Sequence, residues 1–184
     1  VTLVFIDSTQ GWLVTDSGLQ SDVDNNPFIV ATGGTITEDG DFKVHTFTGP
    51  GAFNVTCLAA SPSNNVVAYM VVAGGGGSGA CKGGGAGAGG FREGTTSPII
   101  PYTASPLVAP AGLPVSAQPY PITVGAGGTG ALTPGTATAG SDSIFSSITS
   151  AGGGIGSDGS PGQTPATNGG SGGGGSRYLN TPGN

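Results

Sequence analysis

The chain offers few residues for chemistry. His45 is the only histidine, and Cys57 and Cys81 are the only cysteines. A Ser/His/Asp or Cys/His nucleophile could be assembled from them by count, but nothing in the sequence marks a nucleophile elbow, the strand-to-helix turn such a residue needs. His45 alternates with strand-type residues, which is how a surface or hydrogen-bonded strand histidine reads. One histidine and two cysteines are too few for a closed zinc site. The acids Asp7, Asp16, Asp22, Asp24, Glu38, Asp39 and Asp41 crowd the first 41 residues. Asp22-Val-Asp24-Asn-Asn26 could offer oxygens to calcium but lacks the Gly and Glu of a full loop, so a solvated turn is expected. A glycosidase pair among these acids would need a long groove on a large scaffold, and this chain is short.

Two glycine motifs fail on context. Gly85-Ala-Gly87-Ala-Gly89-Gly90 satisfies G-x-G-x-x-G, but Phe91-Arg-Glu-Gly-Thr-Thr-Ser-Pro98 is not the helix a dinucleotide site needs. Gly76 to Gly83 resembles a phosphate loop, with Cys81 where the second glycine belongs and Gly83 where Ser or Thr belongs. No catalytic, cofactor-binding or metal-binding residue is therefore assigned, and a non-enzymatic protein is expected.

Charge excludes further classes. Of 184 residues only 8% are charged, against roughly 25% in ordinary domains. The net charge is −6, and the four basic residues Lys43, Lys82, Arg92 and Arg177 are scattered. Affinity for nucleic acid needs clustered cations that release counterions, and anionic membranes need the same grip; neither partner is expected. No stretch approaches the ~18 apolar residues of a membrane span. The chain opens on Val1, Asp7 interrupts the apolar run of a signal peptide, and the sequence reads as a piece of something longer. A Cys57–Cys81 bridge stays open.

The elements that must position any site are β in type. Val1-Thr-Leu-Val-Phe-Ile6 and Trp12-Leu-Val14 read as strands, and Ser21 to Pro27 as a loop. Lys43 to Leu58 alternates on both sides of Gly49-Pro50-Gly51 and predicts a hairpin. Val66 to Val72 reads as one buried strand, and no segment has a helical period. Glycine fills 39 positions, about a fifth of the chain. Three times an apolar run empties into glycine: Tyr69 to Gly77, Tyr120 to Gly128 and Ser147 to Gly154; a fourth run, Gly169 to Gly175, lacks the apolar lead. Mean hydropathy is +0.11, which favours a folded chain over a disordered one. Polyglycine-II helices, with three residues per turn and no internal hydrogen bonds, could pack backbone to backbone.

The expected architecture is all-β: a small antiparallel sandwich over residues 1–72, then a glycine-rich polyglycine-II-type module over 73–184. Phe91 to Pro119, Ala131 to Ser143 and Ser157 to Asn168 would be its side-chain-bearing loops. Phe91, Tyr102, Tyr120 and Tyr178 lie in or beside them and are the candidate receptor contacts, with packing at the bundle ends as the alternative.

Tyr69 to Gly77, Gly89 to Gly94, Pro121 to Gly128 and Ser143 to Gly154, together with Val1 to Trp12 and Val44 to Phe53, resemble glycine-rich bacteriophage structural proteins of the cyanophage type. The glycine architecture is more distantly similar to polyglycine-II adhesin tips on T-even-like long tail fibres. The resemblance implies a virion location, on a tail fibre or other external appendage. It implies other virion proteins as partners, a host-surface receptor or glycan, and a homo-oligomer, a trimer in most fibres. An architectural fibre, neck or decoration protein without receptor binding is the alternative, and a secreted glycine-rich surface protein of non-viral origin is a third. In a phage protein made in a bacterium the sequon Asn54-Val-Thr56 would be inert.

Overall fold

The computed structural model describes residues 2–7, 11–16, 26–96, 108–132, 136–159, 164–177 and 182–183. Among these there is no α-helix, only a 3-10 turn at Pro62–Asn64, and every strand pairing is antiparallel. The chain is all-β, as its alternating apolar runs require. β1 (Thr2–Asp7) and β2 (Gly11–Asp16) pair with each other. Most of the expected 21–27 loop lies outside the described residues.

β3 (Val30–Thr32), β4 (Thr35–Asp39), β5 (Phe42–Thr46) and β6 (Gly51–Cys57) follow. Here the pairing departs from expectation. β5 does not form a hairpin with β6 across Gly49-Pro50-Gly51; it pairs with β4, with His45 opposite Ile36 and Phe42 opposite Asp39. β6 instead pairs with β3. The cause is the Gly33-Gly34 turn, whose φ values of +108 and +66 lie in the left-handed region that glycine enters freely. A Cβ on Gly33 would land on the Ala52 carbonyl oxygen, so only glycine lets this turn throw β4 and β5 out as an arm and bring β6 back beside β3.

The later strands are β7 (Val66–Val67), β8 (Tyr69–Val72), β9 (Phe91–Gly94), β10 (Leu113–Pro114), β11 (Pro119–Thr123), β12 (Ser143–Phe145) and β13 (Ile148–Ser150). The single strand expected over 66–72 is two short ones: β7 pairs with β10 and β8 with β9, leaving Val71 buried but Met70 and Val72 exposed. The largest sheet runs in the order β13-β12-β11-β6-β3. It joins two strands from before residue 73 to three from after it, so the division expected at 72/73 passes through one sheet.

One side of that sheet carries the hydrophobic core, built from Phe53, Val55, Val71, Val115, Tyr120 and Phe145. Phe145 is its hub. The rings of Phe53, Tyr69 and Tyr120 approach it edge to face at centroid distances of 6.1, 6.3 and 6.3 Å, contacts worth about 0.5–1.5 kcal/mol each beyond burial.

Candidate functional site

The strands of this core lead directly into glycine. β8 continues into 73–79, β11 into 124–131 and β13 into 151–159, while 84–90 leads into β9 and 138–142 into β12. Run 73–79 shows how these segments hold together. Ala73, Gly76 and Gly79 donate their N–H groups to the carbonyls of Gly90, Gly87 and Gly84 at 3.0, 2.9 and 3.2 Å. Gly74 and Gly77 donate to Ser141 and Thr138, and the carbonyls of Gly74 and Gly77 accept from Gly153 and Gly156. Gly75 and Ser78 accept from Gly128 and Ala131. Each of four neighbouring runs is thus met by every third residue.

Run 151–159 repeats the rule. Ala151, Gly154 and Ser157 accept from Gly90, Gly87 and Gly84, and Gly154 and Ser157 donate to Ser171 and Gly174. Residues 152–159 are all buried. Glycine is demanded there by close approach: a Cβ on Gly76 would land on the Gly154 carbonyl oxygen, and one on Gly153 on that of Gly87. Elsewhere it is not demanded. A Cβ on Gly85 would meet nothing within 4 Å, and one on Gly127 only the Gly75 oxygen at 3.8 Å.

Segments with little glycine also join the runs. Thr138 bonds to Thr129, and Thr167 to Ile155, through both backbone and hydroxyl. Thr138 and Thr167, in the spans 131–143 and 157–168 whose Ser, Thr and Ala content suggested loops, therefore take part in the bonding between runs. Ser150 and Ser157 are fully buried, and their hydroxyls have no hydrogen-bond partner among the described residues.

Side chains are displayed where runs turn. Cys81 and Lys82, both exposed, take left-handed φ values of +48 and +66 between 73–79 and 84–90. Leu132, at the end of 124–131, is 83% exposed.

Of the four aromatic candidates, Phe91 opens β9 half-buried, opposite the exposed Val72. Tyr120 is a core residue, 6% exposed, and its ring packs against Phe145. Its hydroxyl accepts from the Ser116 N–H at 2.7 Å and lies 3.2 Å from the Ser116 hydroxyl. Burial pushes the Tyr120 phenol up, but the hydrogen bonds with Ser116 and Gln118 outweigh it, leaving the group below its ordinary value. The sequence could not separate these two residues, because a strand aromatic has the same pattern on either face. Tyr102 and Tyr178 lie outside the described residues.

His45 sits in β5, half-buried. Its Nδ1 donates to the Gly33 carbonyl at 2.8 Å, and its ring meets Phe53 edge to face at 5.0 Å. It ties the glycine turn to the core. Cys57 and Cys81 are both exposed and not bridged. Among the described residues no three of His, Cys, Asp or Glu gather as a metal set; Asp22 and Asp24 lie outside them.

No curated protein and no solved structure matches the chain. A glycine-rich domain family model matches residues 46–184, from the end of β5 through all the glycine runs, taking in the largest sheet except its edge strand β3. On that match, over most of its length, the chain belongs to the glycine-rich domain family.

Proposed function

We propose that the chain is a structural protein of a bacteriophage virion, a fibre or adhesin module whose glycine runs are polyglycine-II-type helices and whose turns and loops meet the host surface. The observation that carries the reading is the every-third-residue bonding of run 73–79 to four neighbours, the spacing that a helix of three residues per turn gives. A segment tied on several sides by backbone bonds resists bending, so its turns are held in fixed positions. Rigid support for weak contacts suits multivalent attachment, where copies on one particle give avidity without tight binding at any one site. The virion location, the trimer and the host receptor follow from the sequence resemblance; the low charge and scattered cations agree with partners other than nucleic acid or membrane.

Two measurements test this. Antibody labelling of particles should place the chain on a tail fibre or another external appendage; its absence from particles would sink the virion reading. Exchanging residues 97–107, between β9 and Val108, should alter host adsorption. Labelled particles with unchanged adsorption would favour an architectural protein without receptor binding, a reading that the burial of Tyr120 supports by removing one of the four aromatic contacts.

A further inference from the structure

Away from the glycine runs, two turns face each other across a groove of about 310 Å³. One is Gly33-Gly34 and the other spans residues 48–50. It is shallow and largely open to solvent, with a volume at the lower end of small-molecule sites, which run roughly 300–1,000 Å³. Phe47 lines the groove with Thr35, Thr46, Thr48 and Pro50. The three threonines are exposed, and their hydroxyls bond to no described residue. No charged side chain lines it. The arm's charges, Glu38, Asp39, Asp41 and Lys43, lie three or more residues up the strands, about 10 Å or further at 3.3 Å per residue.

The groove is also preformed. Its walls meet through backbone: a Cβ on Gly33 would strike the Ala52 carbonyl oxygen, and His45 Nδ1 holds the Gly33 carbonyl at 2.8 Å. The Phe47 ring lies against the Gly33-Gly34 turn and the start of β6, 3.1 Å from where a Cβ on Gly34 would stand and 3.4 Å from one on Gly51, while it also packs against the core. Little ordering is left for a ligand to drive.

From this geometry we infer that the groove is a subsite for a neutral saccharide ring. An aromatic ring offers a platform for the apolar face of a sugar. Hydroxyls and peptide groups around it serve as both donors and acceptors for sugar hydroxyls. Without a cation the site gives no preference for a phosphate or carboxylate, and its polar lining does not suit a purely aliphatic ligand. The inference does not rest on the virion reading, since the groove lies in the β-arm and not at the ends of the glycine runs.

Saturation-transfer NMR on the full chain tests it, with methyl α-glucoside, methyl α-galactoside and methyl α-mannoside as probes and glucuronic acid as the charged control. At least one neutral glycoside should bind in the millimolar range and glucuronic acid more weakly. Gly49→Leu places a bulky side chain on a residue that lines the groove, where a Cβ meets nothing within 4 Å, so it should keep the fold and lower the signal fivefold or more. Thr48→Val, at an exposed position, should weaken binding without altering circular dichroism. No transfer to any neutral glycoside, equal binding of glucuronic acid, or a signal undiminished in Gly49→Leu would overturn the inference. None of these results bears on adsorption through residues 97–107, so the two readings fail separately.

Discussion

The sheet and the glycine runs meet the same requirement, a water-free interior, with opposite materials. In the sheet the space between backbones is filled by Phe53, Tyr120, Phe145 and their aliphatic neighbours, and stability comes from apolar area removed from water. In the runs there is no such space. Gly76 lies so close to Gly154 that one methyl cannot be inserted, and what replaces side-chain burial is a lattice of N–H to carbonyl bonds. Each such bond contributes only about 1 kcal/mol net, while glycine loses more backbone freedom on ordering than any other residue. A lattice of this kind has little to nucleate it. The strands supply that: β8 is paired with β9, β11 and β13 are both paired with β12, and each continues into a run, so the side-chain core fixes the starting positions that the glycines themselves cannot encode.

If that coupling is right, damage to one region should reach the other. The largest effect expected is from Phe145→Ala, which removes the ring that Phe53, Tyr69 and Tyr120 surround and should cost about 3–5 kcal/mol. Hydrogen exchange should show protection falling in 73–79 and 151–159 as well as in the sheet. Unchanged protection in the runs would mean that they stand alone. Gly76→Ala comes next. Its added methyl meets the Gly154 carbonyl, and backbone cannot move aside as a side chain does; a loss of about 3 kcal/mol is expected from overpacking and from the weakened Gly76–Gly87 bond. Urea unfolding measures it, and a loss below about 1 kcal/mol would show the bundle to be loosely packed.

The difference between the regions also decides what the sequence could reveal. The all-β class and the passage of strands into glycine at 73, 124 and 151 are legible, because β-branched and aromatic runs ending in glycine have few other readings. Pairing is not. Residues 43–58 alternate as a hairpin would, yet alternation reports faces and never partners, and the Gly33-Gly34 turn reassigns β5 to β4. In the runs the problem is complete. A glycine carries no side chain to name its neighbour, and Thr138 and Thr167, which join the lattice through backbone and hydroxyl, look like loop residues. The candidate aromatics fail for a related reason, as Tyr120 is a strand residue whose face is fixed only by the pairing of β11 with β6 and β12.

A smaller effect separates core from contact at that residue. Tyr120→Phe keeps the ring beside Phe145 and deletes the hydroxyl that Ser116 binds. A loss of about 1 kcal/mol is expected, with host adsorption unchanged. The pH dependence has a definite sign. The folded-state phenol lies below its unfolded value of 10.0, with burial raising it and the Ser116 bonds lowering it more. The native state therefore releases its proton first, and wild type should gain stability over the variant as pH rises through the folded-state value, the gap being complete above 10.0. A gap that narrows over that range would show that burial, not hydrogen bonding, governs the group.

The smallest effect carries the sharpest contrast, because it repeats the Gly76 change at a site with room for it. Gly127 lies on the exposed side of run 124–131. A Cβ there would sit 3.8 Å from the Gly75 oxygen, an ordinary contact, and the residue is not in the left-handed region. Gly127→Ala should therefore keep every bond of the lattice and reduce only the freedom of the unfolded chain, stabilising the protein by about 0.4–1 kcal/mol. Gly85→Ala, with nothing within 4 Å, should behave alike. The same methyl thus has opposite signs at positions 76 and 127. If both outer substitutions instead destabilise by as much as Gly76→Ala, glycine is demanded by the helical path of the backbone and not by the approach of neighbours, and the account of packing given for the runs fails.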